Sequence, residues 1–196
     1  STDYREVRAT LAAWQRDGAL RRDAKQAFYA LRQTFRAPDG SEHVRDGFFA
    51  LLHLEDYERR IVRLHERTLS GPKADRLKLL RATGANLSSV FLLYEDPQRA
   101  LNEMLAARLD AGPAAVARDA AGVEHRLVPV ADADAIGAVR GFLADRPVVI
   151  ADGHHRYETA LAYRGERRAA AGGGAGEAPF EFTLAYFANA YAPGTL

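Results

Sequence analysis

The sequence predicts an α+β fold, a mixed sheet with hairpins and flanking helices. Apolar, strand-like runs are joined by turn signals at Pro38-Asp39-Gly40 and Ala120-Ala121-Gly122. Other segments carry apolar residues at helical spacing. One stretch, Val148 to Arg164 (VVIADGHHRYETALAYR), reads as a strand buried on both faces, a tight turn and a helix. Hairpins mixed with helices, rather than strict strand-helix alternation, give α+β.

In chain order, Asp3 with Glu6 has the spacing of a capping box. Tyr4, Val7, Leu11 and Trp14 then share a helix face that Gly18 ends. Residues 26–36 read as a strand. Residues 44–54 read as a second, apolar on both faces and therefore central, after a loop of about five residues. Residues 57–70 fit two templates: Ile61, Leu64 and Thr68 a helix face, Ile61, Arg63 and His65 an alternating strand. Pro72 suits the first turn of a helix to about Thr83, and Val90 to Tyr94 is a buried strand. Asp96-Pro97 opens a helix with Leu101, Met104, Leu105 and Leu109 inward. Residues 114–130 form a second hairpin, and Asp132 caps a helix carrying Ile136, Val139 and Leu143. After the 148–164 stretch, residues 172–176 read as a flexible Gly-rich surface loop. They lack the Lys-Ser/Thr of a P-loop. Phe180 to Ala190 is a last strand, and there is no internal repeat.

The totals narrow the function classes. The chain has 196 residues, 47% hydrophobic and 27% charged, an ordinary globular composition. A net charge of +1 and no helix-turn-helix pattern give no reason to expect nucleic acid as a partner. The absence of cysteine removes disulfides and thiol chemistry. No apolar run reaches the length of a membrane span, and the cytoplasm is the expected location.

The chemistry concentrates at Asp152-Gly153-His154-His155-Arg156. The first amides of a helix lack internal partners, and the dipole there favours an anion. Gly153 lets a ligand approach the backbone, and Arg156 can hold a phosphate or carboxylate with two parallel bonds. The reading is an anion-binding strand-turn-helix, most plausibly for phosphate. Thr159, farther along the helix, is grouped with the binding residues Gly153, His154 and Arg156. A plain β-α connection with solvated histidines would account for one Gly-His pair, but not as readily for five such residues in a row. Zinc is a weaker third option, since adjacent histidines point different ways.

A second cluster runs through His65-Glu66-Arg67-Thr68, Gly71-Pro72-Lys73 and Asp75-Arg76. Lys73 and Arg76 lie one helical turn apart. Glu66 could act as a general base or metal ligand near a phosphate, and a solvated, salt-bridged helix start is the simpler reading.

Taken together, HERT, GPKADRLKLLRATGAN, VFLLYED and VIADGHHRYETALAYR resemble the prokaryotic family catalogued as domain of unknown function 1015. The resemblance covers nearly the whole chain. It implies a single domain over 1–196 that is a fragment of a protein about twice as long. The DGHHR element is more distantly similar to the nucleotide-binding turn of the ParB/sulfiredoxin superfamily, which includes a CTP-hydrolysing partition protein, an ATP-dependent sulfinic acid reductase and free-serine kinases. That resemblance implies phosphate binding by Gly153, His154, His155 and Arg156. It also implies a counterpart for Asp152 in the kinases' acidic residue, and a candidate base in Glu66. The lack of cysteine argues against sulfinic acid reduction.

The expectation is a nucleotide-dependent phosphotransferase acting on a small hydroxyl substrate. Asp152, Glu66 and His155 are its catalytic candidates, and Gly153, His154, Arg156, Lys73, Arg76 and Thr159 its binding candidates. A nucleoside di- or triphosphate with Mg²⁺ is the expected cofactor. The alternatives are a ParB-like nucleotide-binding regulatory module without turnover and a metal-dependent hydrolase using His65, Glu66, Asp152 and His154.

Overall fold

The computed structural model describes residues 4–64, 73–172 and 176–195, with Lys73 by its backbone alone. In chain order the elements are α1 (Arg5–Arg16), β1 (Phe28–Arg36), β2 (Glu42–His53), β3 (Val62–Leu64), α2 (Lys73–Thr83), β4 (Val90–Tyr94), α3 (Ala100–Ala111), β5 (Ala115–Arg118), β6 (Glu124–Val130), α4 (Ala133–Leu143), β7 (Val148–Asp152), α5 (His154–Ala170) and β8 (Phe182–Asn189). The strands form one mixed sheet in the order β3-β7-β4-β8-β2-β1-β6-β5. Both predicted hairpins are present, and β2 lies inside the sheet as its two apolar faces require. β3 pairs with β7 and β4 with β8 in parallel; the other neighbours are antiparallel.

Strand residues alternate between the two faces. Ala30, Phe48, Val90, Leu92, Val128, Ile150 and Phe187 point to one side. There they pack with Leu101, Leu105 and Leu109 of α3, Ala135 and Val139 of α4, and Tyr157 and Ala160 of α5. The other side holds a smaller cluster, Leu31, Tyr186 and Ala188 with Phe49, Phe91, Leu93 and Leu127, to which none of the described helices contributes. Tyr186 lies over Gly47, where a Cβ would come within 2.5 Å of its hydroxyl. Burial pushes its phenol pKa up to about 12.

Several expectations need correction. β7 is buried at Val148 and Ile150 but exposed at Ala151 and Asp152, because its second side is the helix-free one. A register shift opposite Phe91 and Leu92 also releases it from strict alternation before the turn. None of the α1 residues is buried, and Trp14 is 52% exposed. That helix touches the fold through α2, where Tyr4 Oη donates to Asp75 Oδ2 (2.5 Å). Its N-cap is Tyr4, whose side chain makes no capping bond to the helix, and Asp3 lies outside the described residues. α3 begins at Ala100 rather than beside Pro97, and the buried Asp96 accepts from the Leu101 amide (2.9 Å). Between β2 and β3 the chain makes a 3-10 turn at Tyr57–Arg59, and among the described residues of 57–70 the strand is Val62–Leu64; residues 65–70 lie outside the described residues. Asp132 caps α4 as expected, accepting from Ala135 N at 2.9 Å.

The inward stripe of α5 carries more than apolar packing. Tyr157 Oη donates to the Glu55 carbonyl (2.7 Å) and accepts from its amide (2.9 Å). Arg164, its side chain only 7% exposed, donates to the Leu54 carbonyl (2.5 Å) and to Asp56 Oδ1 (2.6 Å). Arg168 donates Nε and Nη2 to the two oxygens of the buried Glu181 (2.7 and 2.5 Å). The helix is thus fastened to the end of β2 and the start of β8.

These contacts generate two expectations. Tyr157→Phe leaves both polar groups of a part-buried peptide without their partner. It should lower stability by about 1–3 kcal/mol, read from the urea midpoint. The Arg168 guanidinium holds the Glu181 carboxyl below its ordinary 4.5. A depressed folded-state value gives stability that is complete above the unfolded value and is lost as pH falls through the folded one. Glu181→Gln should therefore flatten the acid side of the stability–pH curve below about pH 4.5, measured by urea melts across that range.

Candidate functional site

β7 ends at Asp152 and α5 begins at His154, so the connection is the single residue Gly153. Its φ of +92° lies in the left-handed region. This is a conformation glycine adopts without the cost a Cβ imposes. A Cβ there would sit 3.0 Å from Arg156 Nε and 3.3 Å from Val90 Cα. The tightness of the turn changes the status of its neighbours. His154, His155 and Arg156 are the first turn of α5 rather than loop residues. That turn has no acidic residue and no side-chain cap. The Arg156 and Tyr157 amides reach back to the Gly153 carbonyl at 2.9 and 3.0 Å.

Arg156 is held in two directions. One guanidinium nitrogen donates to the carbonyl of Ser89, just ahead of β4. The other donates to Asp152 Oδ2 at 2.7 Å, one turn back. The Asp152 side chain is 72% exposed, so this pair faces solvent on the carboxylate side. Nε2 of His154 and Nδ1 of His155 are buried atoms without hydrogen-bond partners among the described residues. The site therefore combines uncapped helix amides and a forked cation, with two buried, unpartnered imidazole nitrogens on the same helical turn. It also has an exposed carboxylate that can exchange its partner. Uncapped helix amides beside a forked guanidinium are the donor types that suit an anion.

The structure thus brings Asp152, Gly153, His154, His155 and Arg156 together. Thr159 is buried, and its hydroxyl donates to the His155 carbonyl of its own helix (2.6 Å). In this conformation it serves the helix rather than the turn. Arg76 is exposed on α2, which packs along α5 and is tied to it by the Arg81–Glu166 ion pair. His65, Glu66 and the side chain of Lys73 lie outside the described residues. The described residues before them end at Leu64, which pairs with Ile150 of β7. The carbonyl of Ser89 and the backbone of Val90 also belong to the site. Sequence reasoning missed both, since only the antiparallel pairing of β4 with β7 brings them there. Among the described residues, no group of three or more His, Cys, Asp or Glu is placed to hold a metal ion.

Fold and turn together define an α+β protein with a strand-glycine-helix turn that carries Asp152, His154, His155 and Arg156. The chain matches, over residues 1–196, the family described as protein of unknown function, DUF1015, and it belongs to that family. No curated protein and no solved structure matches it. No helix of the described residues is long and apolar enough to cross a membrane.

Gly153→Ala tests the turn. The substitution forces a Cβ into left-handed backbone beside Arg156 and Val90. It should cost about 1–2 kcal/mol of stability and shift the Arg156 side-chain resonances in NMR spectra. Unchanged stability would show that the turn can relax without strain.

Proposed function

We propose that the β7–α5 turn grips a phosphate group of a nucleotide, and that the protein transfers a phosphoryl group to a small hydroxyl compound. One observation carries this reading. The uncapped start of α5 stands beside Arg156, whose carboxylate partner, Asp152, is exposed and belongs to the same turn. An exposed i,i+4 ion pair stabilises by only about 0.3–0.5 kcal/mol, so an incoming phosphate can displace Asp152 at little cost. The first helix amides then supply further donors for the phosphate oxygens. The distant likeness of DGHHR to the ParB/sulfiredoxin turn points the same way.

Displacement gives Asp152 its second role. Freed from Arg156, the carboxylate accepts the proton of the substrate hydroxyl. The hydroxyl oxygen forms a bond to the terminal phosphorus, and the bond from that phosphorus to its bridging oxygen breaks. The nucleotide leaves one phosphate shorter, with Arg156 against the charge that develops. Mg²⁺ is commonly held by one or two carboxylates plus the nucleotide's own phosphates, so Asp152 with the ligand's phosphates forms a suitable donor set. When bound, the ion would neutralise phosphate charge.

A nucleotide-binding regulatory module of ParB type uses the same turn without turnover. The bond from Arg156 to the Ser89 carbonyl, which ties the turn to β4, favours that second reading. The metal-dependent hydrolase draws on His65 and Glu66, outside the described residues.

A thermal-shift panel of nucleoside di- and triphosphates, with and without Mg²⁺, tests binding. A ligand at a hundred times its Kd stabilises by about 2.7 kcal/mol. Arg156→Leu should remove that shift. Asp152→Asn keeps the size and frees Arg156, so affinity should stay within about tenfold, roughly 1.4 kcal/mol. Turnover against amino acids and sugars should fall at least about a hundredfold. Equal turnover in wild type and Asp152→Asn removes Asp152 from the mechanism. Binding without turnover leaves the regulatory module, and no nucleotide shift under any condition sinks both readings.

A further inference from the structure

The side of the sheet without helices has a composition of its own. By register, Leu31, Gln33 and Phe35 of β1, Arg45, Phe49 and Leu51 of β2, Phe91 and Leu93 of β4, Leu127 of β6, and Leu184 and Tyr186 of β8 share it. Leu51, in mid-sheet, is 65% exposed. The carboxylates in β2 and β6, Glu42, Asp46 and Glu124, all fall on the helical side with Phe48 and Val128. The rim histidines His53 and His125 are each bound by a loop carboxylate, Glu55 and Asp119.

Arg45 is the exception. It is half-buried, its guanidinium 5.8 Å from the Phe35 ring centroid and 5.7 Å from that of Phe91. Its Nε and Nη2 both donate to Gln33 Oε1 (3.0 and 2.8 Å), and among the described residues it has no carboxylate partner. A cation removed from much of its water with only a neutral acceptor is left under-compensated.

We propose that this face docks a protein partner whose matching surface is apolar and places a carboxylate against Arg45. The composition is that of an interface core, where aromatic residues and Arg are enriched and Lys, Asp and Glu depleted. Arg45 is fixed in advance by two rings and Gln33, which lowers the entropy cost of using it. A second copy of this chain would have to bring a carboxylate already bound within its own fold, Glu55 to His53, Asp119 to His125 or Asp152 to Arg156. A single nucleic-acid strand needs open ring faces for stacking. Here the rings pack on one another, Tyr186 lying 5.1 Å from Phe49 and 5.3 Å from Phe91, and the side chain left open is the aliphatic Leu51.

The test uses the whole chain and a display library of random peptides of about twelve residues. Sorting on wild type, with counter-sorting on Leu51→Glu, should enrich peptides that carry Asp or Glu flanked by apolar residues. A synthetic peptide from that set should bind Arg45→Gln and Leu51→Glu at least about tenfold more weakly, and Arg156→Leu unchanged. Replacing its carboxylate with Lys should restore binding to Arg45→Glu. Leu51→Glu lies at an exposed position, so its melting temperature should match wild type and separate lost docking from lost folding. Enrichment of peptides without an acid, or equal binding to all variants, overturns the proposal. So does a single-stranded RNA of mixed sequence whose binding needs Arg45, or self-association in sedimentation that Leu51→Glu abolishes. Loss of nucleotide binding at the turn leaves this proposal standing, because neither Arg45 nor Leu51 belongs to the turn.

Discussion

Where β2 leaves the sheet, Leu54 is buried and Glu55 half-buried, and their backbone polar groups must find partners. Helix α5 supplies them: the Tyr157 hydroxyl spans the Glu55 peptide, and Arg164 takes the Leu54 carbonyl and Asp56. Glu181 adds a third tie, its backbone carbonyl accepting from Leu54 N and its carboxylate from Arg168. A buried arginine is not a source of stability by area, since its desolvation offsets most of what its bonds return. Its contribution is direction. Tyr157, Arg164 and Arg168 fix both the angle and the rotation of α5. Because a single glycine joins that helix to β7, they also fix where its first amides, His154, His155 and Arg156 stand.

The sheet divides its charges by face. On the helical side Arg32 is shared between Asp46 and Asp110, and Arg126 donates to the carbonyls of Leu109 and Gly112. At the ends of β4 and β8, Asn189 joins Asp96 and Asn102 in one buried network, so the parallel pair is tied at its far end as well. Cations under the helices are therefore satisfied within the fold. On the bare side Arg45 leans on rings and an amide oxygen, the arrangement expected of a group whose full complement lies outside the chain.

Much of this architecture was legible in the sequence because it is set locally. Pro38-Asp39-Gly40 and the Ala120–Gly122 signal marked both hairpins, and Asp132 marked the start of α4 at the residue where it occurs. Tyr157, Ala160, Leu161 and Arg164 were readable as the inward stripe of α5, and all four face the interior or half-interior. What failed was non-local. Two-sided burial was expected of β7 from its Val-Val-Ile-Ala run, but whether a strand is covered on both sides depends on where helices settle. Trp14 looked like a core residue of an amphipathic helix, and the helix instead lies outermost, against α2. At the candidate site the contiguous residues were found because they are contiguous. Ser89 stands just ahead of another strand, and no pattern in the sequence pairs it with Arg156.

The Asp152–Arg156 pair explains how one turn can be both settled and receptive. Without a ligand, a guanidinium at the start of a helix would stand beside the positive end of the helix dipole with nothing to offset it. Asp152 answers that charge from one turn back, and the Ser89 carbonyl anchors the other side of the fork. The carbonyl cannot leave without disturbing β4, whereas the carboxylate is exposed and rotates away by its own side-chain torsions. The two contacts thus differ in kind. One sets where Arg156 points, and the other occupies, with an oxygen anion of the chain's own, the place where a ligand's oxygen anion would bind.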